Sequence, residues 1–591
     1  MINANPHLND FLKNYSQSFL STGLTRGLDE NTYIQTKLDI ELKGDILEGK
    51  KKLIILTGNA GDGKTAFIQL IESTVREQGG LFKSQTDNGC IFEFNGFQFE
   101  TLYDGSQDFK GSSNESVLKA FFKPFEGDNE TDTKLVKIIA INEGKLRDFI
   151  IKREYSWLGK HVHNYLEYED YQLPKKLAFI NLNNRSIIEL DKDDSIFDKL
   201  LNIILDKASK NKFWEHCIQE NCDYSERCYI KQNIDTFLDE KLGTIVRERL
   251  KELILILYLK RIKHITIRDI RSLISFILFN KFTCLEIQKQ IDSDDHLLDR
   301  YYYNNGYNPT EIDRMIALLR EIDVSEMTLP KVENKLYFLN PKSESVQSVF
   351  VKKRSTGYYD WDYLERLFND KPIDTSDQDK KRKENASNYL KAIKRKLFFE
   401  GNDEIMMEQF GIDHYHFFPY KSFKQFVNFL KTGVDSENQI RNDLVLAISK
   451  SEKIYNEIVG RENVCIRSNS ENKSKTKAFY SFKAADFEVV LPDIGNQQKR
   501  YLEYFPNHII FRHTDKSASL EINIDLFEIL MRIKEGYVPT SIEIQTFFLN
   551  LEMFKRRILA KRSTKIILTE DDTNLYSFEK SETGKLILTK I

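Results

Sequence analysis

A short apolar run that leads into a glycine-rich octapeptide constrains this chain more than any other feature. Leu53-Ile54-Ile55-Leu56-Thr57 is uninterrupted, the pattern of a strand buried on both faces. It leads directly into Gly58-Asn59-Ala60-Gly61-Asp62-Gly63-Lys64-Thr65, a full match to G-x-x-x-x-G-K-[ST]. A helical pattern follows from Lys64 to about Glu77. Strand, loop and helix in that order make a cradle for anionic oxygens. The glycines let backbone N–H groups face inward, and the helix adds its positive end. Lys64 is expected to reach the β- and γ-phosphates of a nucleotide, and the Thr65 hydroxyl to ligate Mg²⁺. ATP and Mg²⁺ are therefore the expected ligands, bound by Gly58, Asn59, Ala60, Gly61, Asp62, Gly63, Lys64 and Thr65. The bland alternative is a Gly-rich turn.

Hydrolysis needs carboxylates beyond the cradle. Further strand patterns are Cys90–Phe94, Phe97–Tyr103, Leu135–Ile141 and Leu177–Asn181, with helical patterns at Ser116–Phe122 and Lys145–Lys152. Strands alternating with helices indicate a parallel, helix-covered α/β sheet. Asp104 follows one of these strands, and Asn142-Glu143 follows another. Asp104 is a candidate metal-side acid, Asn142 a γ-phosphate sensor, and Glu143 a base. Each has a plainer reading: Asp104 as a turn residue, and Asn142 and Glu143 as a helix cap and first-turn acid.

The chain has 591 residues, with 87 Lys+Arg against 90 Asp+Glu. That length suits several domains, and the near-neutral balance excludes a wholly basic nucleic-acid coat. Low Pro and Gly counts (11 and 26) argue against long disorder. Met1–Leu20 lacks the pattern of a secretory signal. The longest apolar run, Leu253–Leu259, falls far short of the roughly 20 residues a bilayer needs. A cytoplasmic protein with no membrane partner is expected. Beyond Lys192 the patterns become long and helical, at Asp194–Lys207 and Thr236–Lys263, and Thr266-x-x-Asp269 has capping-box spacing. Asp374–Ser387 reads as a linker or exposed loop. The expected division is a P-loop core at 1–192, a helical lid at 193–340, and a mixed, mostly helical region at 341–591 for sensing or partner binding.

Three of the six cysteines, Cys217, Cys222 and Cys228, fall within twelve residues, and His216 adjoins the first. Thiolates and imidazole at short spacing suit Zn²⁺. Reduced half-buried cysteines and an iron–sulfur cluster are the other readings, and Cys90, Cys284 and Cys465 read as isolated core residues. Cations cluster at Lys352–Arg354, at Lys380–Lys383 with Lys391 and Lys394–Lys396, and at Lys555–Arg557 with Lys561 and Arg562. They could track a phosphate backbone, which leaves nucleic acid open as a partner of the C-terminal half. A solvated helix face is the ordinary reading. His161-Val-His163 and His414-Tyr-His416 are read as structural.

Leu53–Ile68 together with Lys137–Phe149 resembles the P-loop ATPases of the AAA+/STAND group. Leu177–Ser186, the cysteine cluster after Trp214, and His264–Ser272 extend the likeness to large ATPases of bacterial anti-phage and restriction gene clusters. Among these the chain is most similar to the DptF-like ATPases of phosphorothioation-dependent DNA restriction. The resemblance implies an ATPase that acts in defence against phage or foreign DNA as a homo-oligomer. It also implies an effector protein from the same gene cluster. Arg268 and Arg271 share one helix face, and the resemblance gives one of them a γ-phosphate contact from the lid. Arg185 is a candidate trans-acting finger in an oligomer, and a surface or packing arginine is the plainer reading of all three. The chain departs from the family in lacking a strand that ends in Asp-Glu. A non-hydrolysing, nucleotide-gated scaffold and a DNA-dependent motor are the alternative functions.

Overall fold

The computed structural model describes all residues except 1–3, 16–32, 109–110, 112, 128–133, 152–154, 169–170, 191–193, 207–211, 219–221, 263, 294–296, 312, 354–358, 373–375, 377, 469–475, 562, 564, 571–573 and 581–583. The described chain forms two compact units. The first comprises Met1–Leu257, Lys263–Pro419 and Asp493–Tyr504, and the second comprises Tyr258–Ile262, Tyr420–Pro492 and Phe505–Ile591. The first unit thus takes in the expected core and helical segment and runs on to Pro419.

Its centre is a six-stranded sheet. The strands are β1 (Leu53–Thr57), β2 (Leu81–Thr86), β3 (Gly89–Phe94), β4 (Phe97–Leu102), β5 (Leu135–Ala140) and β6 (Leu177–Asn181), in the order β2-β3-β4-β5-β1-β6. From β4 to β6 the neighbours are parallel, with Leu53 opposite Lys137 on one side and Leu177 on the other. β1 is buried along its whole length. Its odd and even residues feed different cores: Ile54 and Leu56 pack with Phe67, Ile68, Ile71 and Val75 of the Lys64–Glu77 helix. Leu53 and Ile55 pack with Phe121, Phe122, Leu146, Ile150 and Leu158 of the helices Asn114–Phe122, Glu143–Ile151 and Ser156–Glu167. A strand with helices on both faces must be apolar throughout, which is why its pattern does not alternate.

Three features differ from the sequence reading. The β2–β3–β4 edge is antiparallel, because Asp87–Asn88 and Asn95–Gly96 are tight turns too short for a crossover. The Thr236–Lys263 pattern is two helices, Tyr229–Leu238 and Leu242–Lys260. Asp239 separates them by accepting hydrogen bonds from the Lys241 and Leu242 N–H groups at 3.1 and 2.9 Å. Lys380–Ser387, expected to be loop, is the start of the Lys380–Glu400 helix, N-capped by Asp379. Its first turns are polar because they face solvent, and burial begins at Ala386.

Sequence reading also gave no hint that the Asn496–Tyr501 helix returns to the first unit. There it closes the free edge of β6: Gln497 and Gln498 donate to the carbonyls of Leu177 and Phe179 at 3.1 and 3.0 Å. The same two amides accept from the N–H groups of Phe179 and Asn181. Side-chain amides thus stand in for a further strand. The second unit holds the antiparallel sheets β14-β13-β12-β8-β7 and β11-β10-β9, with strands numbered in chain order from β7 (Asn463–Arg467) to β14 (Leu586–Lys590). Among the described residues no helix is long and apolar enough to cross a membrane.

The cation clusters fold inward. Lys391 pairs with Glu326, Lys394 with Glu333, and Arg395 with Asp323, while buried Lys396 sits between Asp360 and Glu400. In the second unit, Lys555 pairs with Glu452 and Glu552, and Lys561 with Asp515. Apart from Glu400 and Glu552, these acids lie far away in sequence, so the run of charge looked unopposed. Lys391, Lys394, Arg395 and Lys396 are thus engaged within the protein, whereas Lys380–Lys383 lie on the solvent-facing first turns of that helix.

One histidine of each pair is engaged within the protein. His161 bonds to Tyr171, and His414 lies between Asp403 at 2.6 Å and Glu252 at 2.9 Å. Burial opposes charge on His414, but the two carboxylates outweigh it and raise its pKa above the ordinary value. A raised folded-state pKa contributes stability that is fully present below the unfolded value of about 6.5 and is lost as pH rises through the folded one. His414→Ala should therefore destabilise the chain by roughly 2 kcal/mol at pH 6. The gap to wild type in urea midpoint should narrow at pH 8.

Candidate nucleotide-binding site

Three loop glycines have φ values that L-residues avoid: 136° at Gly58, 100° at Gly61 and 86° at Gly63. At Gly58 a Cβ would come within 2.8 Å of the Asp62 carboxylate and 2.9 Å of the Leu182 Cβ. At Gly61 it would meet the Arg268 Cβ at 2.9 Å. The loop is therefore both left-handed and tightly enclosed. Asp62 organises it from within. One carboxylate oxygen accepts from the Asn59 N–H at 2.7 Å, and the other bonds to His264 Nε2 at 2.8 Å. Gly63 ends the loop, and the Lys64–Glu77 helix begins beside it.

Lys64 Nζ lies 2.9 Å from the Gly58 carbonyl and 2.7 Å from that of Asn59. Burial pulls its pKa down; Asp62 and Asp104 act in the opposite sense, and Arg268 adds to the lowering. Four charged groups on three separate segments are thus close enough to feel one another. Thr65 Oγ1 lies 3.4 Å from the Tyr103 carbonyl, directly before Asp104.

Asp104 is placed by Asn88, a residue without an evident sequence signal beyond its turn-forming Asn-Gly context. The Asn88 side chain accepts from the Asp104 N–H at 2.8 Å and donates to its carbonyl at 3.0 Å. A second unforeseen residue is Glu72, buried on the Lys64–Glu77 helix. Thr101 and Tyr103 hydroxyls both donate to it at 2.5 Å, tying that helix to the strand that leads to Asp104.

Loop, helix and strand ends enclose a cavity of about 820 Å³. Lys64, Arg185, Arg268 and Arg271 line it, and Asp104 is the only carboxylate among the described lining residues. This volume is within the range of small-molecule sites. Arg268 and Arg271 come from the Ile267–Phe279 helix, which has the expected Thr266–Asp269 capping box. The Arg268 N–H bonds to the Gly61 carbonyl at 3.3 Å, so that helix touches the loop directly.

Comparisons with protein-family models, curated proteins and solved structures found no match.

Asn142 reaches the cavity, but its Oδ1 accepts from the Gly144 and Lys145 N–H groups at 2.9 and 3.4 Å. It is a helix cap, and its amide NH₂ is the part suited to an anion. Glu143 is not among the lining residues; its Oε2 accepts from Asn181 Nδ2 at 3.1 Å. Arg185 is 4% exposed and donates to the Asp62 carbonyl at 3.0 Å. The Arg185 guanidinium is thus buried against its own loop. Cys217, Cys222 and Cys228 gather elsewhere in the first unit, and Cys284 joins them.

Proposed function

We propose that the chain binds ATP with Mg²⁺ at Gly58–Thr65 and hydrolyses it slowly, as a conformational switch rather than a fast turnover enzyme. The observation that carries this reading is the charge of the glycine-walled cavity: four cations against one carboxylate. Such a balance suits a polyphosphate and disfavours a neutral or cationic ligand. In this reading the loop N–H groups and Lys64 hold the β- and γ-phosphates. Thr65 and Asp104 hold the metal and its water, and Mg²⁺ neutralises charge on the leaving oxygens. Arg268 and Arg271 carry the state of the γ-phosphate into their helix, and the Asn142 amide donates to it.

The arrangement fits a P-loop ATPase of the AAA+/STAND type. Defence against foreign DNA, assembly of copies of the chain and control of an effector are the biological reading, resting on sequence resemblance. A non-hydrolysing scaffold is the second reading. It is favoured by the engagement of Glu143 with Asn181, which leaves Asp104 without a second lining acid.

Phosphate release from MgATP by the full chain, followed under single- and multiple-turnover conditions, tests the proposal. Asp104→Asn should lower release about tenfold or more while nucleotide still binds in EDTA. Equal release from wild type and Asp104→Asn would leave the scaffold reading. Absence of any ATP binding would remove both.

A further inference from the structure

Four of the six cysteines border one small cavity of the first unit. Cys217, Cys222, Cys228 and Cys284 all line this cavity of about 30 Å³, room for a single ion. The first three come from the segment between the Ile196–Ile204 and Tyr229–Leu238 helices. Cys284 opens the Cys284–Asp292 helix, far along the chain. Sequence spacing set Cys284 aside as an isolated core residue, and only the fold brings it to the others.

We propose that these four cysteines form a structural zinc site, with Cys284 as the fourth ligand that the sequence cluster lacked. Four sulfurs from two separated segments match the tetrahedral, closed coordination of structural zinc. Cys228 is the N-cap residue of the Tyr229–Leu238 helix. The Asn5 side-chain amide donates to the Cys217 sulfur at 3.4 Å. Donors of this kind orient metal-bound sulfurs and disperse their charge.

A cation and an imidazole also border the cavity. Lys231 is paired with Asp235 at 2.6 Å. His216 Nε2 is buried with no hydrogen-bond partner, which makes His216 the competing fourth ligand. Among the described residues no three His, Cys, Asp or Glu side chains stand preassembled around a common point. Binding therefore requires the sulfurs to turn inward about their single torsions, with release of the thiol protons to solvent.

The site has a structural task. Between Ile204 and Tyr229 the described chain has only a four-residue helix and one 3₁₀ turn. An ion joining that segment to the Cys284–Asp292 helix would close what little core it can build.

Metal analysis of the full-length chain, purified without chelators, should find about one zinc per chain. Reconstitution with Co²⁺ should give an intense sulfur-to-cobalt charge-transfer band, and zinc should protect four thiols from Ellman's reagent. Cys284→Ser should weaken zinc binding about 100-fold, whereas His216→Ala should retain full occupancy. The proposal is overturned by a zinc-free native chain that gives no cobalt–thiolate band. It is equally overturned by zinc that survives Cys284→Ser but not His216→Ala, by a disulfide among the four, or by bound iron with acid-labile sulfide. If Cys284→Ser does not fold, the cobalt spectrum and thiol protection of the wild-type chain decide.

Discussion

Lys64→Ala should reduce ATP-dependent phosphate release by about 100-fold or more, the scale expected when a donor to developing charge is removed. The variant should still fold. The Lys64 ammonium bonds only to carbonyls of its own loop, so its loss leaves no buried carboxylate unpaired. Thermal melts of variant and wild type without nucleotide should coincide within about 1 kcal/mol. With MgATP the wild type should gain stability through ligand linkage, and the variant should gain little. Equal phosphate release from both proteins would show that the measured activity belongs to a contaminant or to another site.

The second large effect concerns stability. Lys396 Nζ lies 2.6 Å from both Asp360 and Glu400, and all three side chains are nearly inaccessible to solvent. Tyr302 and Tyr303 donate to the two carboxylates at 2.7 and 3.2 Å, and the rings of Tyr303 and Trp361 flank the ammonium. Burial disfavours charge on Lys396, but the two acids outweigh it and raise its pKa; burial in turn raises that of Glu400. Lys396→Met should cost about 4 kcal/mol, because it abandons two buried carboxylates to each other. Adding Asp360→Asn and Glu400→Gln should recover most of that loss. All three tryptophans, Trp157, Trp214 and Trp361, lie in the first unit, so urea unfolding followed by their fluorescence reads the effect there.

The glycine loop and its flanking strand and helix were legible because their requirements are local. Gly58, Gly61 and Gly63 are needed for backbone angles, and the Lys64–Glu77 helix follows its pattern to the residue. The Thr266 capping box was legible for the same reason. Pairings across the chain were not. Nothing adjacent to Lys394 or Lys396 announces Glu333 or Asp360, and the solvated turns at Lys380 look like a loop until the buried half of the helix is included. Asn142 and Glu143 fit both a catalytic and a capping role on sequence. The hydrogen bonds to Gly144, Lys145 and Asn181 supply the difference. Cys284 is the clearest case, since its neighbours are set by the packing of helices.

The double hydrogen bond from Asn88 to Asp104 has a consequence for how this site tolerates change. The asparagine amide copies the donor–acceptor pair of a backbone peptide, so it acts as one more rung of the ladder beyond the end of β4. The coordinates of the Asp104 carboxylate are therefore inherited from the turn between β2 and β3. Lengthening that turn by one residue would displace the acid without altering any residue that lines the cavity. The hairpin at the edge of the sheet is in this sense a ruler, and its length is under the same constraint as the glycine loop itself.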